Sequence, residues 1–134
     1  MKQIDLKYGL SKVGLPLIVT SNTPNLCFLI DTGSTHNVIF SFVAKALNLT
    51  PNSLVDVINI SGIEGEEQET QGLSYTLHID EEEIISEFYI LDVTQAIRKI
   101  QEETGIQIHG ILGVPFLDEH NCIVDFNEQI LILN

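Results

Sequence analysis

Basic residues are scarce in this chain of 134 residues, where six lysines and arginines stand against 19 aspartates and glutamates, for a net charge of -13. Nucleic acids and anionic membrane surfaces both bind clustered cations, so this composition argues against either as a partner. No apolar run approaches the length of a membrane-spanning helix, and the first five residues lack the apolar segment of a signal peptide. By default we therefore expect a cytoplasmic protein.

Cysteine is also rare, with only Cys27 and Cys122 in the chain. Both lie in apolar, strand-like runs, which favours buried free thiols over a disulfide or a metal site. The four histidines show no ligand-like spacing relative to these cysteines. The sequence therefore predicts no metal and no cofactor.

The most informative segment is an apolar run, residues 26–30, that leads directly into Asp31, Thr32, Gly33 and Ser34. An apolar run of this length between turn residues predicts a strand buried on both faces. A carboxylate at the end of such a strand is costly to bury unless it is hydrogen-bonded, and the glycine permits a tight turn beside it. This pattern favours a functional acid over one kept for packing.

The remainder of the chain predicts one mostly β domain over residues 1–134, without repeats or linkers. The predicted strands cover residues 4–8, 15–19, 26–30, 38–40, 55–60, 73–79, 84–91, 122–126 and 130–133. Two helices are predicted over residues 42–47 and 93–103, capped by Ser41 and Asp92 respectively, and Gly105 suits the end of the second. A third short helix is predicted near Phe116.

Two further segments combine glycine with apolar residues. Gly62-Ile63-Glu64-Gly65 lies between two predicted strands, which indicates a long hairpin with a mobile tip. Gly110-Ile111-Leu112-Gly113 precedes Val114-Pro115, where proline in the first turn predicts a shortened helix.

In this order, the three segments resemble those of the retropepsin-like aspartic proteases, half-size relatives of pepsin that work as homodimers. By this resemblance Asp31-Thr32-Gly33-Ser34 is the catalytic loop, Gly62-Ile63-Glu64-Gly65 is the flap over the substrate, and Ile111-Leu112-Gly113 supports the catalytic loop. The likeness covers residues 14–133 and is nearer to cellular and bacterial members than to the shorter viral enzymes. It implies a closed β-barrel with a flap hairpin and two to three short helices.

The resemblance also implies a mechanism. Two carboxylates about 3 Å apart cannot both ionise, so they share a proton and act as general base and general acid; aspartic proteases are the standard example. This chain has one Asp-Thr-Gly, so the second carboxylate must be the Asp31 of another copy, in a homodimer that cleaves a peptide or protein. In the family, the hydroxyl at Thr32 bonds across the dimer and Gly33 lets backbone N–H groups face the carboxylates. Ser34 is expected to donate to the outer oxygen of Asp31.

Several alternatives remain open at this point. A non-catalytic binding or scaffold domain would share the fold, and a chance Asp-Thr-Gly in an unrelated β-rich domain is the other alternative. The helix over 93–103 is extra relative to a minimal viral protease, and core cover is preferred over a dimer contact or a cleft border. The apolar run 130–133 is expected in an intersubunit sheet, the alternative being a central strand within one subunit.

Overall fold

The computed structural model describes residues 1–52, 56–61 and 67–134. Within these ranges the strands are β1 (Lys2–Asp5), β2 (Leu17–Val19), β3 (Cys27–Ile30), β4 (Val38–Phe40), β5 (Val57–Ser61), β6 (Glu67–Ile79), β7 (Glu82–Leu91), β8 (Gly110–Leu112), β9 (Ile123–Asp125) and β10 (Ile130–Leu133). The helices are α1 (Lys7–Val13), α2 (Ser41–Ala46), α3 (Gln95–Thr104) and α4 (Val114–Glu119). The predicted mostly β class with short helices is confirmed.

The strands form two open sheets. One has seven strands in the order β2-β3-β8-β4-β7-β6-β5, and the other has three in the order β1-β10-β9. The pairs β3–β8 and β4–β7 are parallel, and the other pairs are antiparallel. The expected closed barrel is wrong in this respect, because β1 and β10 pair with each other and do not bridge the edge strands β2 and β5.

The main hydrophobic core joins both sheets. Phe28 and Phe88 of the large sheet pack with ring centroids 5.7 Å apart, and the same buried cluster holds Leu131 of the small sheet and Phe116 of α4. Each such side chain contributes about 1.5–3 kcal/mol when it is fully removed from water. This core fixes the small sheet and α4 against the strand that leads into Asp31.

The first turn of the chain differs from expectation. The predicted strand over residues 4–8 ends early, because α1 begins at Lys7, whose N–H donates to Asp5 Oδ1 over 2.7 Å. Gly9 lets this helix lie on the next segment, since a Cβ there would lie 2.4 Å from Leu15 O. The alternation of apolar residues at the start of the chain was therefore a poor guide, because the absence of a Cβ at Gly9 allows helix packing that the pattern does not reveal.

The two predicted helix caps are wrong, and for one reason. β4 and β7 are parallel neighbours that end in register at Phe40 and Leu91, so the next residues, Ser41 and Asp92, lie side by side. Ser41 Oγ donates to Asp92 Oδ1 over 2.5 Å, and α2 has no side-chain cap. Thr94 caps α3 instead, and its hydroxyl accepts from the N–H of the residue three positions later.

The end of α3 and the start of α4 are as predicted. Gly105 ends α3 in the left-handed region at φ 76°, where a side chain would be strained. Pro115 lies in the first turn of α4, a helix of six residues, where its missing N–H costs nothing.

The last strand, β10, is central within a single chain. It pairs with β1 on one side and β9 on the other, and Leu131 and Leu133 are buried in the core. The expectation of an intersubunit sheet built on this run is wrong, because its backbone groups and half of its side chains are already covered by its own subunit. The weighed alternative, a central strand within one subunit, is correct.

Candidate active site

Asp31 follows β3 directly, at the carboxyl end of a strand inside the large sheet. Its N–H donates to Leu112 O over 3.0 Å, which extends the β3–β8 pairing by one residue. Ser34 N donates to Asp31 O over 3.1 Å and closes a tight turn. The half-buried Asp31 side chain is therefore carried by two central strands, with little freedom in its backbone.

The carboxylate of Asp31 has one hydrogen bond. Gly33 N donates to Oδ1 over 2.9 Å, and in the described part of the chain the second oxygen has no partner. Ser34 Oγ donates to His36 O over 2.7 Å, so the expected bond from Ser34 to the carboxylate is wrong. The Ser34 hydroxyl instead fixes the far end of its own loop.

Thr32 and Gly33 form the exposed tip of the loop. The Thr32 hydroxyl makes no hydrogen bond to any residue that the structure describes. The exposed Thr32 hydroxyl, beside the half-buried Asp31, can therefore donate to and accept from a group outside this chain.

The Ile111-Leu112-Gly113 segment lies directly against the loop. Leu112 is fully buried, and Val114 N donates to Ser34 O over 2.9 Å. A Cβ on Gly113 would lie 2.7 Å from Ser34 O and 2.5 Å from the carbonyl oxygen two residues further on. No side chain fits at that position unless the loop moves.

Asn37 is a positioning residue that the sequence reasoning missed. It is 3% exposed, and its Oδ1 accepts from Gly113 N over 3.0 Å and Phe116 N over 3.2 Å. Its Nδ2 donates to Glu87 O over 3.1 Å, and its carbonyl oxygen accepts from Tyr89 N. One buried amide thus ties the loop after Asp31 to β7 and to the start of α4. The available signal was a polar residue directly before the buried apolar run of β4.

A cavity of about 250 Å³ opens beside Asp31. Its apolar wall is formed by Val38, Phe40, Ile60, Leu91 and Ile111. These residues come from four different strands, and with Asp31 they combine one charged group with an apolar wall. Such a site suits a polar reacting group that carries an apolar side chain.

The Gly62-Ile63-Glu64-Gly65 segment lies outside the described residues. The strands on either side of it, β5 and β6, pair antiparallel as far as Ser61 opposite Glu67. Ile60, near the end of β5, lines the Asp31 cavity. The hairpin that carries the predicted flap therefore borders the site through its described base.

Other candidate sites are weaker. Among the residues that the structure describes, no three histidine, cysteine or acidic side chains are grouped to hold a metal ion. In the same ranges no helix is long and apolar enough to cross a membrane.

Cys27 and Cys122 are free thiols, and burial raises the pKa of each to about 11. Neither thiol is thus suited to act as a nucleophile.

Comparisons with known proteins identify the family and the fold. A family model described as Aspartyl protease matches residues 18–116, whereas no curated protein sequence matches. The retroviral protease-like domain of Ddi1 from Leishmania major is similar with a TM-score of 0.64, at 16% identity over 91% of each chain. EIAV protease complexed with the inhibitor HBY-793 is similar with a TM-score of 0.56, at 20% identity over 78% of this chain and 86% of that chain. At these identities the solved structures show a shared retropepsin-like fold.

Proposed function

This chain belongs to the aspartyl protease family, and on that basis we propose that it is an endopeptidase that acts as a homodimer. The observation that carries the proposal is the state of Asp31. Its carboxylate lies at the mouth of an apolar cavity, with Oδ1 oriented by Gly33 N and its second oxygen open. One such carboxylate per chain supplies half of an acid–base pair.

The proposed reaction is hydrolysis of a peptide bond by water. The ionised Asp31 of the pair removes a proton from a water molecule, whose oxygen forms a bond to the carbonyl carbon. The protonated Asp31 of the other subunit donates its proton to the carbonyl oxygen. The Asp31 that took the proton from water then donates it to the nitrogen, and one hydroxyl of the tetrahedral intermediate returns a proton to the other Asp31. The C–N bond breaks, a carboxylic acid and an amine are released, and the pair again holds one proton. The pH dependence belongs to the pair of carboxylates and not to either one.

The surface around the loop tip supports a second copy as partner. Next to Thr32 lies a groove of about 430 Å³, with Val114, Leu117 and Val124 among its apolar lining. Val114 is 46% exposed, and with Leu117 and Val124 it forms an apolar surface beside the loop tip that a partner subunit would cover. A two-fold axis near Thr32 would bring the two Asp31 side chains together and give its hydroxyl a partner.

The substrate we propose is an extended peptide or protein segment. A peptide lying along the cavity could add its backbone to the neighbouring strands while apolar side chains enter the space between Val38 and Leu91. Closure of the flap hairpin over it would exclude water and strengthen the electrostatic effect of the carboxylate pair.

The test is cleavage of a diverse peptide library between about pH 4 and 7, the range suggested by a shared-proton pair. Wild type is compared with Asp31→Asn, whose amide oxygen can still accept from Gly33 N. Asp5→Asn is the matched control, because Asp5 Oδ1 also accepts an N–H from two residues later but lies outside the cavity. We expect cleavage by wild type and Asp5→Asn and none by Asp31→Asn. Equal cleavage by wild type and both variants would refute the proposal.

A non-catalytic binding domain with the same fold gives a different result. In that case wild type and Asp31→Asn would bind the same peptides with similar affinity, and neither would cleave them under conditions where sedimentation shows a dimer. Peptide binding measured beside cleavage therefore separates the two functions.

A further inference from the structure

The helix α3 is placed to do more than cover the core. Thr94, which caps its N-terminus, lines the same cavity as Asp31, and so does Leu91 at the end of β7. The segment that leaves β7 therefore turns along the cavity before the helix begins. Core cover, the preferred alternative from the sequence, fits the burial of Ile97, and the position of Thr94 supports the cleft border as well.

We propose that the N-terminal end of α3, at Thr94, is a wall of the substrate cleft and that the Thr94 side chain limits the size of the substrate side chain bound beside Asp31. The inference rests on the proposed peptidase function and names a specificity-determining residue for it. Thr94 is the polar lining residue that lies outside the Asp31 loop, which supplies the others: Asp31, Ser34, Thr35 and His36.

The position of α3 is fixed by the packing of its first turn against the core. Ile97 is 6% exposed and belongs to the same buried cluster as Phe40 and Leu91, both of which also line the cavity. The helix ends at Gly105 in the left-handed region. A shift of α3 away from the cavity would therefore expose Ile97 and disturb its cluster with Phe40 and Leu91, so the capping residue Thr94 keeps its place beside the cavity.

The Thr94 side chain itself is held by the cap. Its Oγ1 accepts from Ile97 N over 3.3 Å, and its carbonyl oxygen accepts from Arg98 N over 3.0 Å. A hydroxyl engaged in a cap holds the rotamer of a β-branched residue, and with it the position of the methyl group. The cap and the cavity surface are thus two separable properties of one side chain, which makes them testable with two substitutions.

The experiment uses Thr94→Ser, which keeps the cap acceptor and removes the methyl group, and Thr94→Val, which keeps the shape and removes the acceptor. Lys99→Ala, on the exposed side of α3, is the control. Peptides carry Val, Leu or Phe at each position flanking the cleaved bond, and kcat/KM is measured for each. A second series replaces the bond with a non-hydrolysable hydroxyethylene group, and Kd is measured by calorimetry.

We expect Thr94→Ser to raise the preference for Phe over Val by about three- to tenfold, the effect of one methyl group in an apolar site. Thr94→Val should keep the wild-type preference and lower the thermal midpoint, since a cap is lost. Lys99→Ala should match wild type in both respects. Equal preferences in Thr94→Ser and wild type would overturn the inference, as would a change of preference in Thr94→Val as large as that in Thr94→Ser.

The second series separates this inference from the proposed function. If wild type binds the hydroxyethylene peptides but cleaves none of the others, the proposed catalysis is wrong, and the Kd ratios of the two Thr94 variants still decide whether α3 is a wall of the cleft. If wild type binds neither series, the cleft-wall inference is wrong as well.

Discussion

Replacement of Asn37 with alanine should destabilise the protein strongly and also impair the site. The side chain makes three hydrogen bonds, to Gly113 N, Phe116 N and Glu87 O, at 3.0 to 3.2 Å, and it is 3% exposed. Loss of the amide leaves two buried donors and one acceptor without their partner. At about 1–3 kcal/mol for each unsatisfied group, reduced where water enters the space, we expect a loss of roughly 3–5 kcal/mol in the free energy of unfolding.

The chain offers a matched control in Asn22. This residue is 8% exposed, its Nδ2 donates to Thr76 O, and its Oδ1 accepts from His78 N. It has the same chemistry as Asn37 but joins a turn to β6, away from the Asp31 cavity. Asn22→Ala should therefore lower stability by a similar amount and leave peptide cleavage unchanged as long as the variant is folded.

The assays are urea denaturation for stability and kcat/KM at a temperature where both variants are folded. Asn37→Ala should lower kcat/KM by roughly tenfold or more, because Gly113 and the loop it supports lose their common anchor and small displacements of reacting groups are costly. A stability loss below about 1 kcal/mol would refute the hydrogen-bond reasoning. An equal fall in kcat/KM for Asn22→Ala would show that the effect on activity is global and not specific to the loop.

Two further predictions follow from the same region. Gly113→Ala should displace the Asp31 loop and lower kcat/KM, because its Cβ would lie 2.5 Å from His36 O. The control is Gly105→Ala, which is strained at φ 76° but lies in open space and should lower only the thermal midpoint. Unchanged cleavage by Gly113→Ala would contradict the prediction. Burial lowers the pKa of His109 below 6.5, and its Nδ1 accepts from Cys27 N over 2.8 Å. The unfolded chain therefore takes up this proton first, so stability is full above about pH 6.5 and falls as the pH drops below it. Denaturation midpoints of His109→Asn, which keeps an acceptor but does not titrate, should depend less on pH over that window, and an identical dependence would contradict the assignment.

The net charge of the chain affects dimer assembly in all of these measurements. With a net charge of -13 per chain, a homodimer at neutral pH would carry about twice that charge, and self-repulsion would oppose its assembly. Added salt screens this repulsion. Comparisons between variants therefore need one salt concentration and one protein concentration, or differences in assembly will be mistaken for differences in chemistry.

The local sequence pattern was sufficient to predict the strands and turns at the centre of the molecule. The apolar runs that became β3 and β4 were predictable because each is short, continuous and bounded by turn residues, and the Asp31 turn follows from its own tetrapeptide. Gly105 at the end of α3 was predictable for the same reason, since a left-handed helix end selects glycine whatever lies around it. In all of these cases the cause and the structure lie within a few residues of each other.

What local pattern could not supply were the partners of polar side chains. Ser41 and Asp92 each suit a helix cap, and only the parallel register of β4 with β7 makes them bond to each other across 51 positions. Asn37 reads as an ordinary loop residue until the fold brings Gly113 to it from 76 positions away.

The sequence pattern also could not predict how whole strands and helices are arranged. β10 looked like a strand in need of a partner subunit, yet its own chain supplies both neighbours. Thr94 looked like part of a helix start until α3 was placed against the cavity that holds Asp31. Apolar spacing and turn residues act through near neighbours and so can be read along the chain, whereas hydrogen-bond partners and cavity walls depend on which distant segments the core brings together.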